Sequence, residues 1–233
     1  TAPDDQPQLL ARIRQGLMLS TASMVPIGAL FIALATPIVA LVYERGAFDA
    51  SAAQLVAALL VAYGLGMPAY LGRDVLVRVF YALGDGTTPF RLSMAGIGLN
   101  VIFDWLLVGG PTPWGNQSPF NFGASGLVLA TVAINVLTCL ALLLVLKRRM
   151  PAMTLIPWGM DTTRLLLAGV LTGCMVWGLS LGVDWPLGWL GLLARVGIPS
   201  LLGLAFFGLV GSALGVAEVQ EIGTMLLRRL RLR

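Results

Sequence analysis

The sequence predicts an all-α integral membrane protein with six transmembrane helices. Long charge-free apolar runs, an apolar composition and basic residues gathered in alternate loops all point to it. Of the 233 residues, 58% are hydrophobic and 11% charged, and the mean hydropathy is +0.88. A soluble core cannot absorb that much apolar surface. A hydrocarbon core of ~30 Å takes roughly 20 residues of helix, and lipid leaves irregular backbone unsatisfied, so helices are the expected spans.

The first charge-free run, Gln15 to Tyr43, predicts a helix over 16–43. Before it, within a cytoplasmic segment 1–15, Gln8-Leu-Leu-Ala-Arg-Ile-Arg-Gln-Gly16 has the pattern of a short amphipathic helix lying along the membrane surface. The run Ala50 to Gly72 predicts a helix over 51–83, and Leu92 to Phe103 one over 90–109. The run Trp105 to Leu146 is too long for one span, and its portion Gly109 to Gly123 is dense in Gly, Pro and Asn, so a loop precedes a helix over 123–146. Leu165 to Val183 predicts 163–183, and Val196 to Gln220, broken only by Glu218, predicts 189–217. The organisation is thus 1–15, four spans within 16–150, a final helix pair within 151–217, and a basic cytoplasmic tail 218–233. Pro26 and Pro37 are expected to interrupt the first helix and Pro68 the second. Gly169/Gly173, Gly178/Gly182 and Gly211/Gly215 offer small faces for close helix contact.

Basic residues set the expected orientation, because Lys and Arg resist translocation. Arg12 and Arg14, Arg78 and Arg91, Lys147 to Arg149 with Arg164, and Arg228 to Arg233 fall on one side. The opposite side holds only Arg45 between the first two spans and nothing from Trp105 to Leu146 or between Arg164 and Arg195. Both termini are therefore expected in the cytoplasm. Trp105, Trp114, Trp185 and Trp189 fall near the outer interface and Trp158 near the inner one, as an aromatic belt would have them.

The net charge of +4 resides largely in these anchors, which suggests anionic headgroups rather than nucleic acid as partners. Cys139 and Cys174 lie inside spans and read as packing residues, not a disulfide. The chain has no His, so hydrolytic or zinc chemistry is poorly supported and no enzyme activity or catalytic residue is expected. Thr1 is not an initiator and residues 1–15 lack a signal-peptide pattern, so the chain is expected to be the back part of something longer.

Ionisable residues within spans carry more information, because inserting one costs at least ~2.5 kcal/mol. Arg73, Asp74 and Arg78 cluster in the second helix, where Asp74 and Arg78 can pair at i, i+4. That helix is long enough to project beyond the bilayer, so the cluster is either interfacial or lines a cavity in which Arg73 or Arg78 contacts an anionic substrate. Asn100 and Asp104 share a face of the third helix, and Thr131 on the next supplies a hydroxyl. Those are oxygens for a hard cation such as sodium, not a transition metal. An interfacial carboxylate is the plainer alternative for Asp104.

Leu65-Gly-Met-Pro68 followed by Arg78-Val-Phe-Tyr-Ala-Leu-Gly-Asp85-Gly-Thr-Thr88-Pro89 resembles the second-lobe signature of the MurJ (MviN) lipid II flippases. Leu41-Val-Tyr-Glu-Arg-Gly-Ala-Phe48 and Gly126-Leu-Val-Leu-Ala-Thr131 are similar to neighbouring family segments. The resemblance covers about residues 10 to 150; beyond that it rests on span placement. It implies the last six helices of a fourteen-helix fold, in which helical bundles surround a central cavity. It implies alternating access in the bacterial cytoplasmic (inner) membrane, carrying polyprenyl-linked lipid II to the outer leaflet for peptidoglycan biosynthesis.

The resemblance further implies a sodium site at Asn100, Asp104 and Thr131, with the carbonyl of Leu127 as a backbone ligand. The family's additional Asp, on an earlier helix, has no counterpart in this chain. The family's cavity arginines come mostly from helices outside the chain, and the missing N-terminal half would be its partner. The final helix pair is implied as an apolar groove for the lipid tail. Two alternatives stand beside this reading: another exporter of the same superfamily, moving oligosaccharide-lipids or drugs, and a membrane fragment that transports nothing.

Overall fold

The computed structural model describes residues 6–43, 50–109 and 120–220. Arg45, Trp114, most of the predicted Gly/Pro-rich loop and the basic residues beyond Gln220 lie outside the described residues. Among the described residues seven helices appear in chain order: α1 (Gln6–Ala33), α2 (Ala35–Tyr43), α3 (Ala50–Ala82), α4 (Thr87–Val108), α5 (Ala124–Arg149), α6 (Leu155–Gly182) and α7 (Trp189–Ala213). Six of them are long and apolar enough to cross a membrane, as the sequence predicts; α2 is the short continuation of the first.

The break between α1 and α2 falls at Leu34, four residues after the Leu30 carbonyl that its amide still engages at 2.8 Å. Pro37 has no N–H for the Ala33 carbonyl, and its ring crowds that carbonyl, so the ladder stops there. Pro26 and Pro68 were expected to act likewise. They do not: α1 and α3 run through them unbroken, as α7 does through Pro199. Proline is tolerated in spans whose packed neighbours hold the helix together.

Helix α1 also differs from expectation at its start. The amphipathic segment expected to run along the surface into the first span is one continuous helix with it, and Leu9, Leu10 and Ile13 pack against other helices. Their cluster joins α1 (Leu17, Met18) to α3 (Leu76, Phe80), α5 (Leu142, Leu146) and the α5–α6 connection (Met150, Met153). Trp158 is buried in the same cluster, 8% exposed, so it is a core residue rather than a belt residue.

The helices pack in the spatial order α7, α6, α1, α3, α5, α4, with α2 against α3 and α7. Two turns close by the same device. Gly84 (φ 77°) and Gly215 (φ 75°) take left-handed conformations that a side chain would strain. At each, the glycine's own amide and the next one reach back to the helix: Gly84 N to Tyr81 O and Asp85 N to Phe80 O, Gly215 N to Ser212 O and Val216 N to Gly211 O. These are Schellman caps.

The α3–α4 turn then starts the next helix at once. Asp85 Oδ1 accepts from the Thr87 and Thr88 amides at 3.0 and 2.9 Å, while the Thr88 hydroxyl donates to Oδ2 at 2.5 Å. Arg149, at the end of α5, pairs with Oδ2 at 2.6 Å and lies over the Phe80 ring, so the turn is clamped to α5. These bonds, led by those from Thr88, with Thr87 and Arg149 adding to them, hold the Asp85 carboxyl well below the usual carboxylate range. A carboxyl depressed on folding contributes stability above its unfolded value, about pH 4, that disappears as pH falls through the folded value. Replacing Asp85 by Asn is therefore expected to lower the thermal midpoint at pH 7 and to flatten its decline below pH 4. Equal acid profiles for the two proteins would contradict this.

Candidate functional site

The α4–α5 interface is built on two glycines. A Cβ on Gly126 would lie 2.4 Å from the Leu107 carbonyl oxygen, and one on Gly96 would lie 3.2 Å from Ile134 and 3.5 Å from the Thr138 hydroxyl. The helices run antiparallel, so these contacts bracket the stretch in which Asn100 and Asp104 lie opposite the 127–134 turns. Within α4, Asn100 Nδ2 donates to Asp104 Oδ2 at 2.8 Å, and Asp104 Oδ1 is buried without a partner. Within α5, the Thr131 hydroxyl donates to the Leu127 carbonyl at 3.1 Å. Each predicted pair is thus formed within its own helix.

A hard cation fits this donor set. The carboxylate oxygen left over at Asp104 is a charged acceptor in an apolar span, Asn100 lies beside it, and Thr131 with the Leu127 carbonyl offers further neutral oxygens on the helix that packs against α4. Among the described residues no group of three or more His, Cys, Asp or Glu side chains comes together. The donor chemistry is therefore oxygen from mostly neutral groups.

Of the α3 cluster, Asp74 and Arg78 are exposed, and among the described residues they do not form the ion pair that their spacing permits. Arg73 behaves differently. Its Nη1 donates to Asn135 Oδ1 on α5 at 2.6 Å, and its Nε is buried without an acceptor. Asn135, 4% exposed, in turn donates through Nδ2 to the Thr131 carbonyl at 2.7 Å. The sequence reading passed over Asn135. The available signal was its position one turn beyond Thr131, an amide in the middle of an apolar run.

A second polar group missed in the sequence lies where α1 meets α6. Arg14 contacts Asp161 at 2.6 Å and Glu218 at 3.3 Å, with Arg164 also on Asp161 at 3.3 Å. Glu218, 4% exposed, keeps Oε2 without a partner. This network ties the final helix pair to the start of α1.

An apolar groove of about 550 Å³ runs along α6. Its walls come from α1 (Val25, Gly28), α3 (Gly64, Pro68) and α6 (Gly169, Trp177). Leu165 and Ala168 of α6 pack with Phe207 of α7 in one buried cluster. Of the three glycine pairs, only Gly169/Gly173 faces a neighbouring helix along both members, at Val25 and Ala29 of α1; Gly178 and Gly182 meet open space. Both cysteines are free.

A helical bundle with six membrane-length spans, an arginine and an unpartnered carboxylate oxygen within them and an apolar groove has the make-up of a polytopic membrane protein. The comparisons specify which kind. A family model described as lipid II flippase MurJ matches residues 1–193, and the chain belongs to that family. The match extends past the portion where the sequence motifs carried the resemblance, and it sets aside the other exporters of the superfamily. A probable lipid II flippase MurJ of Synechocystis sp. (strain ATCC 27184 / PCC 6803 / Kazusa) is 43% identical over 98% of this chain and 42% of its own length. A lipid II flippase MurJ of Thermosipho africanus (strain TCF52B) is 30% identical over 58% of this chain and 25% of its own. A solved lipid II flippase MurJ in an inward closed conformation shares the fold, with a TM-score of 0.65 and 22% identity over 88% of this chain and 39% of that one. The chain therefore spans less than half the length of these relatives.

Proposed function

We propose that the chain acts as part of a lipid II flippase that moves a polyprenyl-pyrophosphate-linked peptidoglycan precursor to the outer leaflet by alternating access. Its membership of the MurJ family over residues 1–193 carries this reading. The cationic and apolar elements of the bundle are those such a substrate needs. A pyrophosphate requires positive charge inside the membrane, and a polyprenyl tail requires a continuous apolar path. Arg73 and Arg78 are the chain's candidates for the headgroup. The α1–α3–α6 groove is the candidate for the tail, with ordinary membrane lipids lining the rest.

Flipping breaks no covalent bond, so these residues bind and release rather than react. Sodium is the proposed coupling ion, held by Asn100, Asp104, Thr131 and the Leu127 carbonyl; when bound, it would neutralise the Asp104 carboxylate. Each elementary charge carried across is worth ~2.3 kcal/mol per 100 mV, so the membrane potential can also bias the cycle. With the basic loops retained inside, both termini face the cytoplasm of a bacterium whose inner membrane holds the protein.

The test is rescue of a bacterium depleted of its own lipid II flippase. The N-terminal portion of the Synechocystis relative, joined to this chain, is expected to restore growth, and the chain alone is not. Failure of the joined form despite normal membrane insertion would overturn the reading and leave a membrane segment that transports nothing.

A further inference from the structure

We infer that Asn135 is a positioning residue that holds Arg73 inside the bundle without neutralising it, keeping the guanidinium available to an anionic pyrophosphate headgroup. The inference rests on the flippase reading for its choice of ligand, and on the geometry around α3 and α5 for everything else.

The orientation of the Asn135 amide follows from its two partners. Arg73 can only donate and the Thr131 carbonyl can only accept, so Oδ1 must face Arg73 and Nδ2 must face the backbone. Bonding back to the carbonyl four residues earlier directs the free oxygen outward from α5, toward α3. The chain of bonds runs from Arg73 through Asn135 to Thr131, and from Thr131 to Leu127. Arg73 is thereby tied to the same turns of α5 that carry two of the cation-site candidates.

An arginine fixed within a span is ordinarily paired with a carboxylate, because an isolated charge in low dielectric is costly. Here the partner is a neutral amide, and among the described residues no ion pair engages Arg73. The positive charge is retained. Asn135 also occupies only Nη1, which leaves the Nε and Nη2 edge, the one that grips a phosphate with two parallel hydrogen bonds. Nε on that edge is buried and has no acceptor. Because Nε is covered in this conformation, a headgroup reaches it only when α3 and α5 shift or the side chain swings, and a single hydrogen bond to a neutral amide holds the arginine less firmly than an ion pair with a carboxylate would. An aspartate at position 135 would hold the arginine as closely but would spend its charge.

The test uses this chain joined to the N-terminal portion of the Synechocystis relative, purified in detergent, with thermal midpoints followed against farnesyl pyrophosphate, farnesol and inorganic pyrophosphate. The unsubstituted protein is expected to be stabilised by farnesyl pyrophosphate and not by farnesol. Asn135→Asp should weaken that response at least tenfold while leaving the unliganded midpoint unchanged or higher, which a merely structural role would not do. Asn135→Gln, neutral like the original, should stay within a few-fold. Arg73→Gln should lose the response, and adding Asn135→Asp to it should change nothing further. A response to inorganic pyrophosphate with the same dependence on Asn135 supports the site and assigns it to free anions as well as lipid. Undiminished binding in Asn135→Asp, or no pyrophosphate binding at all, overturns it. Rescue of growth separates the two conclusions. If Asn135→Asp rescues and binds as the unsubstituted protein does, the flippase reading stands and this inference falls; if the unsubstituted protein binds pyrophosphate through Asn135 but never rescues, the reverse holds.

Discussion

Replacing Asp104 by Asn is expected to abolish the response of the protein to sodium while making it more stable without sodium. The two effects have one cause. Asp104 uses one carboxylate oxygen on Asn100 and leaves Oδ1 buried and unpartnered. A charged group in that position costs at least ~2.5 kcal/mol in a span. Asn removes the charge and keeps a partner for Asn100. If a cation is what offsets the carboxylate, the same change removes its only charged ligand on α4. Even outer-shell partners of metal sites are worth about 10–100-fold in affinity, so loss of a direct charged ligand should weaken binding by at least about 100-fold.

Thermal midpoints titrated with sodium at constant ionic strength, with potassium as the balancing ion, read both effects. A ligand at 100 times its Kd stabilises by ~2.7 kcal/mol, a shift easily seen. The unsubstituted protein should gain midpoint with sodium, and Asp104→Asn should start higher and stay flat. A sodium response that survives the substitution would remove Asp104 from the site and return it to the role of an interfacial carboxylate.

The parts of this site that sequence could show are the local ones. Asn100 with Asp104, and Leu127 with Thr131, are one helical turn apart, and helix geometry alone brings each pair together. The spans were legible for a similar reason, since the length and polarity of a crossing helix are dictated by the bilayer. Contacts between helices were not. Arg73 meets Asn135 across 62 residues and Arg14 meets Asp161 across 147. Helices that are apolar all round carry no periodic stripe to say which face turns inward. The groove shows the same limit: nothing along α6 indicates that one of its faces opens beside α1 and α3. Proline misled in the opposite sense, because Pro26 and Pro68 sit in helices supported on their flanks, and only Pro37 stops one.

Gly64→Leu is expected to part α1 from α3 and to cost the protein much of its stability. Gly28 and Gly64 face each other so closely that a Cβ on Gly28 would lie 2.4 Å from the Gly64 carbonyl oxygen, and one on Gly64 would lie 2.8 Å from the Gly28 carbonyl oxygen and 2.9 Å from Ile32. The nearest obstructing atom at each of the two glycines is a backbone carbonyl oxygen, which cannot swing aside as a side chain can, so the helices themselves must separate. In a membrane no hydrophobic driving force resists that; close van der Waals packing of small residues supplies much of the association. Overpacking a well-filled contact typically costs about 1–3 kcal/mol, and a Leu side chain against backbone belongs at or above the upper end. Gly64→Ala should already destabilise measurably, whereas Gly178→Ala, where an added Cβ meets open space on the same α6 that lines the groove, should be neutral or stabilising through its helix propensity. Because Gly28 and Gly64 also line the groove, the separation would reshape the path proposed for the lipid tail. Thermal midpoints of the three variants decide the matter: equal stability of Gly64→Ala and Gly178→Ala would show that α1 and α3 do not depend on this approach.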